Sequence, residues 1–182
     1  SLEAAGLCLD YSKHRVTAQT RKLLVSLAEA VDLKQHIENL FTGGLVNFTQ
    51  NMPASHTVLR EPSAPSSIQK TLGHMEALAT AIHSGECRGI TGETITDVVN
   101  LGIGGSDLGP RMVVDALQGA LPAPPQLRCH FVSNMDPTDM MRVLNSLNPE
   151  RTIFIVTSKS FLTHETQQNM RLAQQWLIQH LK

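Results

Sequence analysis

The chain has only three cysteines, Cys8, Cys87 and Cys129, an odd number without C-x-x-C spacing. That argues against a disulfide framework and a thiolate zinc site, and it fits a reducing cytoplasm. A surplus of one charge is also missing. With 15 basic and 16 acidic residues the net charge is −1, which leaves no basic excess for a general grip on nucleic acid. No apolar run approaches the ~20 residues of a membrane span. Ser1–Asp10 lacks the basic segment that opens a signal peptide. Nothing in the pattern forms a Ser-His-Asp triad, a paired-carboxylate site or a metal cluster. The chemistry to look for is therefore binding rather than acid–base work.

What is present describes a soluble globular chain. Its 182 residues, 41% hydrophobic and 17% charged, suffice for one core with appendages. The first third reads helical. Thr20–Ala30 sets Leu23, Leu24, Leu27 and Ala28 on one face, and Leu33–Phe41 continues with Ile37, Leu40 and Phe41. Gly43-Gly44 ends that helix. Val46–Leu59, with Pro53 inside it, reads as loop plus a short helix. The 61–67 stretch is a loop by composition, after which Ser66 or Ser67 caps a helix over Ile68–His83 that Gly85 and Gly89 end.

The second part alternates. Strands are expected over Asp97–Ile103, Leu127–Ser133 and Thr152–Thr157, and helices over Leu108–Gln118, from Asp136-Pro137 to Leu147, and over Thr163–Leu181. Pro122, Pro124 and Pro125 mark a loop. Apolar strands alternating with helices predict a parallel sheet covered on both faces. Met140-Met141 reads as one core and one surface residue. His56, His74 and His83 read as structural or solvated.

Two turns stand where α/β sheets bind ligands, beyond the carboxyl ends of strands. The first is Gly102-Ile103-Gly104-Gly105-Ser106-Asp107-Leu108-Gly109-Pro110. It fails as a dinucleotide fingerprint, because Asp107 occupies the third glycine position, and as a Walker loop, because it has no GK[ST]. Three glycines and a hydroxyl before a helix favour an anion seat over an empty tight turn. The second is Thr157-Ser158-Lys159-Ser160-Phe161-Leu162-Thr163. Alone it fits plain helix capping as well as phosphate binding. Taken with the first, it points to one pocket for a phosphomonoester. Asn134-Met135-Asp136 also ends a strand, and capping by Asp136 is the favoured role there.

These same stretches closely resemble the glucose-6-phosphate isomerase (phosphoglucose isomerase) family. Its GIGGSDLGP turn stands intact at Gly102–Pro110. Its SKTFTTQET reads here as Ser158 to Thr166, with Ser160 for Thr, Leu162 for Thr and His164 for Gln. Phe131–Asp136, Leu9–Lys13 and Leu144–Pro149 are also family-like. The segment 49–60 departs from the family's TENRAVLHxALR, losing its arginine and part of its apolar run.

The resemblance implies an α/β, flavodoxin-like sugar isomerase (SIS) domain over residues 91–182, incomplete at its end, after an N-terminal helical portion over 1–90. By position, Gly105, Ser106 and Asp107 would lie beside the sugar phosphate, and Ser158, Lys159, Ser160 and Thr163 would ring it. The family interconverts glucose 6-phosphate and fructose 6-phosphate through a cis-enediol, in glycolysis and gluconeogenesis, without a cofactor or metal. Its proton-moving residues lie beyond the matched region. The chain is therefore expected to be a cytoplasmic N-terminal piece with no catalytic residue of its own. The longer protein is expected to be a homodimer taking a hexose 6-phosphate, with no nucleic-acid or membrane partner. A non-catalytic SIS module that senses a sugar phosphate is the alternative; the helical N-terminal portion and the lack of a DNA-binding pattern argue against it.

Overall fold

The computed structural model describes residues 1–120 and 126–181, so the expected loop at Pro122, Pro124 and Pro125 lies outside the described residues. The chain divides into two compact units, Ser1–Thr71 and Leu72–Lys182.

The first unit opens on a two-stranded antiparallel hairpin, β1 (Leu2–Ala4) and β2 (Leu7–Leu9), that periodicity missed. Its two turn residues, Ala5 and Gly6, both take positive φ, 51° and 73°, the geometry of a tight hairpin turn. Ala5 is an unfavourable residue there, so no Asn-Gly or Asp-Gly signal announces the turn. Helix α1 (Ala18–Ala30) starts at Thr17, whose hydroxyl accepts from the Thr20 N–H at 3.1 Å. Helix α2 (Leu33–Phe41) has the expected bounds, and Gly43 at φ 79° follows its end. Neither helix buries a residue, so their apolar stripes form no core of their own. The short helix expected before Leu59 is a 3-10 turn over Ser55–Arg60 carrying an exposed His56. Helix α3 (Ser66–His83) runs across the division between the units, and Gly85 at φ 75° closes it. His74 and His83 on it are exposed.

The second unit holds the sheet. β3 (Asp97–Leu101) lies centrally between β4 (Arg128–Val132) and β5 (Thr152–Val156), both parallel to it. Leu101 stands beside Val132 on one side and Val156 on the other. Alternation then sends Val99, Leu101 and Val132 to one face, where they are fully buried. Helices α5 (Pro137–Leu144) and α6 (His164–His180) cover that face with Met140, Leu144, Ala173 and Trp176. Trp176 meets Phe154 edge-on, ring centroids 6.0 Å apart. Met140 is 1% exposed and Met141 50%, the expected split. Helix α4 (Leu108–Gln118) serves the opposite face, where the Arg111 guanidinium lies 5.2 Å from the Phe131 ring centroid. The expected parallel α/β sheet flanked by helices is what the chain forms.

At the amino ends of β3 and β4 sits a polar cluster. Asp97, with no exposed surface, accepts from Arg128, His130 and Thr96, each at 2.8 Å. Burial pushes its carboxyl pKa upward, but those hydrogen bonds and the Arg128 charge together outweigh burial and hold it below the ordinary carboxylate value. The cluster ties β4 to β3 at the end away from the two turns.

Candidate functional site

The order β4-β3-β5 carries a functional consequence. From β3 the chain steps to β4 on one side, then returns past β3 to β5 on the other. The direction reverses between β3 and β5, and ligands of open α/β sheets bind outside the strand carboxyl ends at such a reversal. The glycine turn leaves β3 there and the hydroxyl turn leaves β5.

The glycine turn folds back tightly on itself. A Cβ on Gly102 would lie 2.7 Å from the Ser106 carbonyl oxygen and 2.9 Å from the Ser106 Cβ, so only glycine fits. Gly104 takes φ 58°, and the chain then makes a 3-10 turn over Gly104–Ser106. Nothing lies within 4 Å of where side chains on Gly104 or Gly105 would begin, so a ligand can approach the backbone at both. Ser106 is half-buried. Asp107, 2% exposed, turns its carboxylate to Arg111, which donates from Nε at 3.2 Å and Nη2 at 2.9 Å. Asp107 thus holds the turn against α4 through its side chain.

The hydroxyl turn is wired internally. Ser158 Oγ accepts from the Phe161 N–H at 3.0 Å, and Ser160 Oγ accepts from the Leu162 N–H at 3.2 Å. A serine hydroxyl that accepts keeps its own proton, so these groups remain donors for an anion. Phe161 sits at φ 55°, a strained conformation for a bulky residue, with its carbonyl held by Gln167 Nε2 at 2.7 Å. Thr163 is the N-cap residue of α6 by position, yet its side chain makes no capping bond; its hydroxyl lies 3.4 Å from Ser158 Oγ. Plain capping therefore does not account for Thr163. The first turn of α6 keeps its partial positive charge beside the hydroxyls.

A buried asparagine joins the two turns. Asn100 on β3, 9% exposed, donates from Nδ2 to the Ser106 carbonyl at 2.9 Å, and its Oδ1 accepts from the Thr157 hydroxyl at 2.8 Å. Sequence reasoning singled out neither Asn100 nor Thr157 as site residues. The available signal was a carboxamide inside an apolar strand, which must find partners or destabilise the fold.

Asn134-Met135-Asp136 takes the capping role. Asp136 accepts from the Thr138 N–H at 2.8 Å with Pro137 at the first helical position, and Asn134 Oδ1 accepts from the Asp136 N–H at 3.0 Å. The Thr138 N–H holds the Asp136 carboxyl below its ordinary pKa. Asn134 and Asp136 line a cleft of about 530 Å³ beside the first turns of α4 and α5, with Asp107, Arg111 and Arg142. Among the described residues no group of three His, Cys, Asp or Glu is placed to hold a metal ion, and no helix is long and apolar enough to cross a membrane.

Fold and turns define a doubly wound α/β domain whose polar turns meet at the switch point, where open α/β sheets bind their ligands. Residues 10–182 match the family model described as phosphoglucose isomerase. The chain belongs to the phosphoglucose isomerase family. It is 43% identical over 191 aligned residues to the glucose-6-phosphate isomerase of Methylococcus capsulatus, covering 100% of this chain and 35% of that protein. It is 46% identical to that of Coxiella burnetii RSA 493, with the same coverage. Among solved structures, a glucose-6-phosphate isomerase from Chlamydia trachomatis superposes with a TM-score of 0.64 at 29% identity, over 91% of this chain and 33% of that one. A hypothetical protein from Thermus thermophilus, at 23% identity and a TM-score of 0.53, shares the fold over 88% of this chain and 32% of that one. The chain spans about a third of the length of the relatives it matches.

Proposed function

We propose that the full-length protein interconverts glucose 6-phosphate and fructose 6-phosphate, and that residues 91–182 are its sugar isomerase domain and carry the seat for the substrate's phosphate. The observation that carries this reading is the meeting of the glycine turn and the hydroxyl turn at the β3/β5 switch point, bridged by Asn100. In this reading Gly105 and Ser106 face the phosphate from one side, with Asp107 fixing their turn. Ser158, Lys159, Ser160 and Thr163 surround it from the other. Hydroxyl and backbone donors suit a dianion at pH 7, and each such bond to a charged acceptor contributes about 1.5–3 kcal/mol.

The phosphate is the inert end of the substrate. Holding it fixes the hexose so that a general base can reach the weakly acidic proton beside the carbonyl, the step that leads to a cis-enediol. We assign no residue of this chain to that proton transfer. The base and the ring-opening groups belong to the remaining two-thirds of the protein and to a second subunit of a cytoplasmic homodimer. A coupled assay with fructose 6-phosphate tests the division of labour. The full-length protein is expected to turn over, and residues 1–182 to give only the blank rate. Turnover by 1–182 above the blank would overturn it.

A further inference from the structure

We infer that Asn100 and Thr157 are a positioning pair: together they set the spacing between the two walls of the phosphate seat without touching the phosphate. This rests on the phosphate-seat reading above and adds to it the residues that hold the seat together.

Asn100 points to the α4 face of the sheet, between Phe131 on β4 and Ile155 on β5, its cross-strand neighbours. A carboxamide among such neighbours is tolerated only when hydrogen-bonded. Both of its ends are satisfied, and by different turns. The Ser106 carbonyl can only accept, so Nδ2 must face it at 2.9 Å. Oδ1 is then left for Thr157, whose hydroxyl must be the donor at 2.8 Å. With that proton committed to Asn100, Thr157 has none to offer a phosphate, which separates it from Ser160, whose hydroxyl accepts from the Leu162 N–H and keeps its own proton. The Thr157 N–H also donates to the Leu101 carbonyl at 2.9 Å, fixing the point where the hydroxyl turn departs from β5.

The chemistry at each position is narrow. Asparagine supplies one donor and one acceptor at the end of a short side chain. Aspartate would set a carboxylate oxygen against the Ser106 carbonyl. Valine at 157 keeps the shape of threonine and loses the donor, leaving Asn100 Oδ1 without a partner. Because the phosphate is bound alike in ground and transition states, loosening its seat should act on KM and leave kcat in place.

The experiment compares full-length wild type with Thr157→Val, Thr157→Ser, Asn100→Asp and Ser160→Ala. It measures KM and kcat for fructose 6-phosphate and calorimetric affinity for 6-phosphogluconate, with thermal melting as the check on folding. Thr157→Val is expected to raise KM and weaken 6-phosphogluconate about tenfold, with kcat within about twofold, and Thr157→Ser to restore both. Asn100→Asp is expected to shift both in the same direction as Thr157→Val, and it carries the test if the valine variant does not fold. Unchanged affinity in Thr157→Val, or in Asn100→Asp where that variant carries the test, overturns the inference, as does a loss that Thr157→Ser does not rescue. Ser160→Ala separates the two levels. If it leaves phosphate affinity unchanged, the seat itself is misplaced; if it weakens affinity while Thr157→Val does not, only the positioning role fails.

Discussion

At the amino end of the three-stranded sheet, a fully buried carboxylate, Asp97, draws Arg128, His130 and Thr96 onto itself. At the carboxyl end, the equivalent task of tying neighbouring strands falls to a neutral carboxamide, Asn100, between a carbonyl and a hydroxyl. The amino end joins strands with fixed charge, all of it already matched. The carboxyl end joins two turns without placing a fixed negative charge between them, and Asp107, the carboxylate nearest in sequence, is turned to Arg111. In the proposed reading the carboxyl end receives a dianion, which an unmatched carboxylate there would repel; the amino end, which only holds strands together, can use a carboxylate that is matched. Charge distribution along one β-strand thus separates the end that ties strands together from the end proposed to hold the phosphate.

The sharpest way to break that contrast is at Asp97. Asp97→Ala leaves His130 and the half-exposed Arg128 without their partner and should destabilise the chain by about 3 kcal/mol in urea titrations, while phosphate affinity of the full-length protein stays within about twofold. A large loss of affinity would show that the two ends are not independent. The pH dependence has a definite sign. The folded pKa of Asp97 is lowered, so its contribution is present above the unfolded value of about 3.9 and is lost as pH falls through the folded value. The stability gap between wild type and Asp97→Asn should therefore shrink below about pH 4; a gap constant from pH 7 to pH 3 would contradict this.

Gly102→Ala tests the other end. The new Cβ would meet the Ser106 carbonyl at 2.7 Å and force the turn open, at about 1–3 kcal/mol of stability and with weaker 6-phosphogluconate binding. Stability lost with affinity intact would mean that the turn's geometry does not matter to the ligand. The smallest expected effect is a gain. Leu162, 78% exposed, takes the place of a threonine in the SKTFTTQET motif that this stretch resembles. Leu162→Thr should tighten phosphate binding by a few-fold at most, about 0.5–1 kcal/mol, measured by calorimetry.

How much of this was legible in the sequence follows from the range of each interaction. The bounds of α2 and α4, the cap at Asp136-Pro137 and the split of Met140 from Met141 depend on a few adjacent residues and could be read directly. So could the parallel sheet, from unalternating apolar strands. The hairpin at Leu2–Leu9 was missed because Ala5-Gly6 is an atypical turn pair. The apolar stripe of α1 is a helix face, as its period predicts, yet Leu23, Leu24 and Leu27 stay 55–60% exposed, because periodicity reports a face and not what covers it. The Asn100–Thr157 bond joins residues 57 positions apart, and no local pattern encodes that. The candidate turns were visible; the side chain that holds them together was not.

The central claim is that the two turns share one phosphate. Calorimetric titration of 6-phosphogluconate into the full-length protein and its Ser106→Phe and Ser160→Phe variants tests it directly. Each bulky side chain, placed on a different wall, is expected to abolish measurable binding, a loss of at least about 100-fold. Unchanged affinity in both variants would contradict the account and place the phosphate elsewhere.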